Sequence, residues 1–135
     1  MKRELPKGKL QVADETLRLY AVVLTNLGMG PGKIASQCGH SFVEAIRKAQ
    51  ATNPHLVAAY HSEGLGTKVV LQANHELQLK AIAEQCQAAG IPHALVIDSG
   101  CKNFFDGAPT VTALGVGPAK KHEVKHILGR LQLLK

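Results

Sequence analysis

A lysine, a glutamine and a histidine recur along one side of a predicted helix that follows a glycine-rich turn. At about 100° per residue, Gln37 and His40 each lie within about 40° of Lys33, whereas the apolar residues collect on another side. Lys33 and His40 are about 10 Å apart along the axis, which suits an extended polar ligand. The helix could therefore bind a ligand, although a face that only contacts solvent would show the same pattern.

An aspartate stands near the end of a predicted apolar strand, HALVIDS (93–99), and is followed by Ser99 and Gly100. In α/β proteins, catalytic groups gather at the loops that leave the carboxyl ends of strands, where the pKa of an acid can be tuned. Asp98 is therefore a candidate catalytic group. An aspartate that only caps its own turn would show the same pattern, and the sequence leaves both interpretations open.

The turn GMGPGK (28–33) resembles a phosphate-binding loop but has the wrong spacing. The Walker pattern would need glycine at Leu27 and serine or threonine at Ile34, and the dinucleotide-binding pattern fails as well. A glycine turn still lets the backbone approach a ligand, and the first N–H groups of the next helix can bind an anion. The turn is therefore either an anion site or a plain tight turn.

The sequence HEVKH (122–126) matches the His-Glu-x-x-His pattern that binds zinc in metalloproteases. Helical spacing places His122 and His126 opposite Val124 and the other apolar residues, so both histidines are predicted to face solvent. The nine residues after His126 include no His, Asp, Glu or Cys, so the third protein ligand of a catalytic zinc site is missing there. We therefore predict no metal site and interpret this stretch as a solvated basic face.

The segments that would position these residues alternate between strands and helices. Such alternation predicts an α/β sandwich around a largely buried sheet of about four strands. The C-terminal helix is predicted to begin at Pro118 and to end at Gly129. Strands are predicted at 19–25, 67–73, 93–99 and 110–117, and the other helices at 33–52, from Asn53 onward, and at 74–90.

Length and composition limit the function classes. The 135 residues fit one domain, predicted at 18–135, after an N-terminal extension at 1–17. No apolar run approaches the roughly 20 residues that cross a bilayer. The N-terminus lacks the apolar core of a secretion signal, so we expect no membrane association and a cytoplasmic location.

Charge and cysteine content point to a partner and a redox state. The net charge of +6 favours a polyanionic partner such as nucleic acid, although solubility alone could explain it. The three cysteines, Cys38, Cys86 and Cys101, include no Cys-x-x-Cys pair. They are predicted to be reduced thiols, two of them buried.

Four segments in a fixed order resemble the type II peptidyl-tRNA hydrolases, which cleave the ester between a peptide and the terminal ribose of tRNA. The segments are GMGPGKIASQCGHS, GTKVVLQA, IDSG and TALGVGP, and the similarity runs from about Leu19 to the C-terminus. The resemblance implies a mixed sheet with helices on both faces, in a three-layer sandwich. It further implies peptidyl-tRNA as the partner, a homodimer, and no metal or other cofactor.

The resemblance also implies roles for individual residues. Asp98, directly or through His40, would orient or deprotonate a water molecule, and Lys33 would stabilise the oxyanion or anchor the terminal phosphate. These three residues are the predicted catalytic set. The residues predicted to bind substrate are Gln37, Lys68, Lys102 and Thr112.

The chain departs from the family pattern at four positions. Gly28 stands where lysine is usual, Cys101 stands where a basic residue is usual, and Lys102 and Asn103 stand where Thr-Gln is usual. A lysine in place of the threonine could add phosphate affinity instead of chemistry. Two interpretations therefore stay open, a divergent hydrolase and a tRNA-binding relative without activity.

Overall fold

A computed structural model describes residues 14–98 and 108–135. Strands and helices are interspersed over this part of the chain, in nearly the order that the apolar pattern predicts. The elements are β1 (Leu17–Leu24), α1 (Pro31–Thr52), α2 (Pro54–His61), β2 (Thr67–Ala73), α3 (Glu76–Ala89), β3 (His93–Asp98), β4 (Thr110–Lys120) and α4 (Lys121–Leu128).

The four strands form one mixed sheet in the order β2-β1-β4-β3. β1 is parallel to β2, and β4 is antiparallel to both β1 and β3. β1, β2 and β3 therefore run in the same direction, and their carboxyl ends lie at one edge of the sheet together with the start of β4. This edge is where α/β proteins gather their ligands.

Helices cover both faces of the sheet. On β1, Ala21 and Val23 pack in the core beneath α1, whereas Tyr20, Val22 and Leu24 pack beneath α3 and α4. Successive side chains of a strand point to opposite faces, so one apolar strand supplies both cores. The predicted three-layer α/β sandwich is confirmed.

α1 lies unusually close to β4. A methyl group added at Gly115 would stand 2.0 Å from the carbonyl oxygen of Ser41, so only glycine fits at this crossing. The helix meets the sheet through short side chains, including Ser41, Ala45 and Ala49, all of which are buried. Gln37 belongs to the same buried stripe, although the helical spacing groups it with the polar face. The crossing therefore takes Gln37 out of solvent.

The last strand and the last helix meet later in the chain than predicted. The prediction that Pro118 begins the helix is wrong, because Pro118 lies within β4 and α4 begins at Lys121. The pairing of β1 with β4 is irregular between Arg18 and Tyr20, which leaves an interruption where a residue without an N–H group is tolerated. A proline in the first turn of a helix and one at a strand irregularity look alike in sequence.

The segment after α4 extends the sheet, which the sequence pattern did not predict. The Gln72 N–H donates to the Gln132 carbonyl at 2.9 Å, and the Leu134 N–H donates to the Val70 carbonyl at 3.0 Å. Leu133 also forms an antiparallel bridge with Leu71. Residues 132–134 thus cover the outer edge of β2.

Two sequence predictions about composition can be compared with the described residues. Cys38 and Cys86 are buried free thiols, as predicted, whereas Cys101 lies outside the described residues. Within the part of the chain that the structure describes, no helix is long and apolar enough to span a bilayer.

Candidate active site

The turn before α1 places the first candidate residue at the ligand-binding edge of the sheet. Gly28 has a φ of 70°, in the left-handed region that glycine adopts without strain and a lysine would not. Gly30 is extended and caps α1, which Pro31 begins with its fixed φ. Lys33 therefore lies in the first turn of α1. That turn contains no acidic residue that could pair with the Lys33 ammonium in place of Asp98. The anion site proposed for this turn stays a prediction.

Lys33 and Asp98 meet across this edge. The Lys33 Nζ forms an ion pair with the Asp98 Oδ2, although 65 residues separate them in sequence. Asp98 is the last residue of β3, so the strand end and the helix start bring the two groups together. Their side chains are 13% and 19% exposed, for Asp98 and Lys33 respectively, so the pair is largely shielded while part of each group still reaches solvent. Two of the three predicted catalytic residues are thus in contact, whereas their roles stay a prediction.

A buried amide joins this ion pair to β4. The Gln37 Nε2 donates to the Asp98 Oδ2 at 3.2 Å, and the Gln37 Oε1 accepts a hydrogen bond from the Thr112 hydroxyl. Because one end of the amide is a donor and the other an acceptor, these two partners fix its orientation. Gln37 and Thr112 have no exposed surface. Their predicted role of contacting substrate does not fit this arrangement, in which they contact Asp98 and each other.

An irregular strand pairing aims Thr112 at α1. Val96 of β3 pairs with Ala113 of β4, and Ile97 pairs with Val111, so Thr112 has no partner on β3. Such a bulge lets two successive side chains point to the same face. Ala113 packs in the core beneath α1, and the Thr112 hydroxyl reaches Gln37 on that same face. In the sequence, Thr112 is a polar residue directly before the apolar run that begins at Ala113, and this pattern does not report the bulge.

Ser41 is a further buried polar residue that the sequence analysis missed. Its hydroxyl donates to the Gln37 carbonyl one helical turn earlier, at 3.0 Å. Among the described residues, no buried side-chain nitrogen or oxygen lacks a hydrogen-bond partner. The polar cluster beneath α1 is therefore internally satisfied, which rigid positioning of a reactive carboxylate requires.

Two other predicted site residues, His40 and Lys68, form no hydrogen bond with the Lys33–Asp98 pair in the described part of the chain. His40 follows Gln37 on α1 and is exposed. Lys68 lies at the start of β2, at the end of the sheet opposite to Asp98. At about 3.3 Å per residue along a strand, the two residues are roughly 20 Å apart. Its ammonium donates to the carbonyls of Leu65 and Gly66 at 2.9 and 3.2 Å. Lys68 could therefore contact only a remote part of a large substrate, and the predicted site residue Lys102 lies outside the described residues.

The two histidines of HEVKH face away from the sheet. His122 and His126 are exposed on α4, whereas Val124 is buried, as the helical spacing predicts. Within residues 14–98 and 108–135, no group of three or more His, Cys, Asp or Glu side chains could hold a metal ion. The described chemistry therefore rests on the ammonium, the carboxylate and the buried amide.

Comparisons with known proteins agree on one family. The model of the family "Peptidyl-tRNA hydrolase PTH2" matches residues 17–134. A peptidyl-tRNA hydrolase of Methanocaldococcus jannaschii is 35% identical over 118 residues, which cover 87% of this chain and all of the relative. A peptidyl-tRNA hydrolase of Halobacterium salinarum is 37% identical over 81% of this chain and 92% of the relative. A probable peptidyl-tRNA hydrolase 2 of Schizosaccharomyces pombe is 33% identical over 92% of this chain, which spans only 59% of that relative.

Proposed function

Since this chain belongs to the peptidyl-tRNA hydrolase PTH2 family and is a hydrolase, we propose that it cleaves the ester of peptidyl-tRNA at the Lys33–Asp98 pair. The observation that carries the assignment is the contact of these two side chains at the carboxyl edge of the sheet. An ammonium and a carboxylate held together at a partly open edge can act on the two ends of one hydrolytic step. The substrate is the ester between a peptide and the terminal ribose of tRNA.

In the proposed reaction, water attacks the carbonyl carbon of the ester. Asp98, directly or through His40, accepts a proton from the water as the new C–O bond forms. Lys33 donates a hydrogen bond to the oxyanion that develops on the carbonyl oxygen. The C–O bond to the ribose then breaks, and the leaving oxygen takes the proton held by Asp98, which gives a free ribose hydroxyl and restores the carboxylate. The peptide leaves as a carboxylic acid that loses its proton to water. No cofactor is needed to balance this hydrolysis.

Gln37 and Thr112 act on this reaction through Asp98. Their side chains are fully buried, so we propose that they hold the carboxylate in position instead of touching the substrate. Because the Thr112 hydroxyl donates to the amide oxygen of Gln37, the amide N–H group stays directed at the carboxylate. Both are therefore positioning residues in this proposal.

The tRNA, a cytoplasmic location and a homodimer belong to the same proposal. The net charge of +6 supports a polyanionic partner, because basic surfaces attract phosphates over several ångströms. Sedimentation equilibrium should give twice the mass of one chain. A single species with the mass of one chain at micromolar concentration would remove the homodimer and leave the reaction unaffected.

The test is the turnover of a peptidyl-tRNA by two variants. Asp98→Asn keeps the shape and removes the base, so a loss of about 10²-fold or more is expected. Lys33→Ala should also lower kcat by orders of magnitude, because its contact with the oxyanion exists only in the transition state. Lys48→Ala, on the exposed part of the same helix, is the matched control and should keep full activity.

Two results would contradict the proposal. Wild-type rates in both Lys33→Ala and Asp98→Asn would remove the pair from the reaction. An intact substrate after incubation with the wild-type chain, together with salt-sensitive binding of tRNA, would indicate a binding protein without activity. Thermal unfolding of each variant shows whether a lost rate reflects lost folding.

A further inference from the structure

A cavity lies on the face of the sheet opposite the candidate active site. It has a volume of about 380 Å³ and is bounded by β1, β2, α4 and the segment after α4. Val69 and Leu71 of β2 form part of its floor, and Val124 and Leu128 of α4 form one wall. The volume is in the lower part of the range for small-molecule sites, about 300–1,000 Å³. The sheet separates this cavity from Lys33 and Asp98.

The floor of the cavity contains one polar group. Tyr20 is 6% exposed, and no hydrogen bond joins its hydroxyl to another described residue. Since no fully buried side-chain oxygen among the described residues lacks a partner, the hydroxyl oxygen is the part of Tyr20 that reaches the cavity. Burial raises the pKa of Tyr20 above its usual value of 10.0, and the nearby Arg18 acts in the opposite direction with a smaller effect. A neutral hydroxyl among apolar walls is stabilised by a hydrogen-bonding partner, which water or a ligand can supply.

The rim of the cavity is positively charged. Lys121 and Lys125 border it, and neither forms an ion pair within the part of the chain that the structure describes. The third cation, Arg18, pairs with Asp14 at 2.6 Å and donates to the Thr16 carbonyl at 3.2 Å. The two lysines thus leave an excess positive charge beside an apolar floor.

We propose that this cavity binds a small apolar carboxylate. The apolar part would cover Val69 and Leu71, and the carboxylate would lie near Lys121 and Lys125, with the Tyr20 hydroxyl as a further polar contact. Burial of apolar surface and charge-assisted hydrogen bonds together require a ligand with both properties. RNA fits less well, because phosphates would use the lysines and leave the apolar floor uncovered. A cationic or uncharged apolar molecule would lack a partner for the lysines.

The test is a titration of the full chain with decanoate. NMR signals of the Tyr20 ring monitor binding at the cavity, and calorimetry measures Kd and stoichiometry. We expect saturable binding of one decanoate per chain, with contacts between its methylene groups and the Tyr20 ring. Lys121→Gln combined with Lys125→Gln should raise Kd by about tenfold or more, since two charge-assisted contacts are lost. Tyr20→Phe should raise Kd by a few-fold. Lys48→Gln, which removes the same charge on the opposite face, should leave Kd unchanged.

A second titration tests which class of carboxylate the cavity prefers. Acetyl-leucyl-leucine, a peptide carboxylate, is titrated beside decanoate, a fatty acid. Either one binding with the lysine dependence stated above supports the site, and the tighter of the two shows which kind of carboxylate it favours. Peptidyl-tRNA hydrolysis by the lysine variants should stay at the wild-type rate, which keeps this test independent of the proposed reaction.

Several outcomes would overturn the site. Decyltrimethylammonium binding as tightly as decanoate, or a Kd that is unchanged in the double lysine variant, would show a nonspecific apolar surface. NMR can also show contacts of the Tyr20 ring with a second copy of the chain, in a sample that mixes two isotope labels, or with residues before Asp14. Either result would show that the protein itself covers the cavity. Loss of tRNA binding in the lysine variants, without any decanoate binding, would assign Lys121 and Lys125 to tRNA.

Discussion

Thr112→Val tests whether the buried amide controls the reactive carboxylate. Valine has nearly the shape of threonine and lacks the hydroxyl that donates to the Gln37 Oε1. Because Gln37 has no exposed surface, water cannot replace this donor. The amide then keeps an unpaired buried oxygen and loses one of the two contacts that fix its orientation, which weakens the positioning of Asp98.

The expected magnitudes follow from these contacts. A buried acceptor without a donor costs about 1–3 kcal/mol, so the free energy of unfolding should fall by that amount. If the hydrogen bond from the Gln37 Nε2 to Asp98 is lost as well, a charge-assisted contact worth about 1.5–3 kcal/mol disappears from the site. At about 1.4 kcal/mol for each factor of ten, kcat should fall by about 10- to 100-fold.

The assay combines urea unfolding with single-turnover hydrolysis of peptidyl-tRNA. Thr112→Ser keeps the hydroxyl and should retain most of the rate, although it loses a methyl group from the core. In a Gln37→Leu background, Thr112→Val should cost much less, because its partner is already absent. Equal losses for serine and valine would assign the effect to packing. Wild-type stability and rate in Thr112→Val would refute the positioning role.

Two further predictions concern packing and thiol chemistry. Gly115→Ala should lower the free energy of unfolding by about 1–3 kcal/mol and also slow turnover, because α1 must move away from β4. Its control, Gly39→Ala, meets no atom within 4 Å and should stabilise α1 by about 0.5–1 kcal/mol in the same urea titration. Equal effects of the two substitutions would contradict the close crossing. Burial raises the pKa of Cys86 to about 11, so iodoacetamide at pH 8.5 should modify the folded chain at Cys86 far more slowly than a peptide thiol of pKa about 8.5. Mass spectrometry measures this rate, and equal rates would show that the thiol is accessible and ionised.

Local sequence patterns predicted the elements and singled out Lys33, Gln37 and Asp98 as candidate groups, because each pattern depends on neighbouring residues. Thr112 was indicated only by the resemblance to the family. Apolar runs and caps located the strands and helices, and Asp98 was recognisable as an acid at a strand end. The prediction at Pro118 was wrong, since proline is common both at the start of a helix and at an irregularity in a strand. The pairing of residues 132–134 with β2 and the bulge at Thr112 depend on strands distant in sequence. The burial of Gln37 likewise depends on a distant residue, Gly115, which lets α1 approach β4. The spacing of residues within α1 therefore cannot predict it.

The strand order also has a consequence for how the chain folds during its synthesis. β4 lies between β1 and β3, and among the described strands β3 pairs only with β4. β1 and β2 can associate early, but β3 remains without a strand partner until residue 120 has left the ribosome. Asp98 consequently reaches Lys33 only after the sheet closes over sequence distances that make folding slow. We therefore expect nascent chains that end before β4 to expose apolar surface of β3 and to bind chaperones.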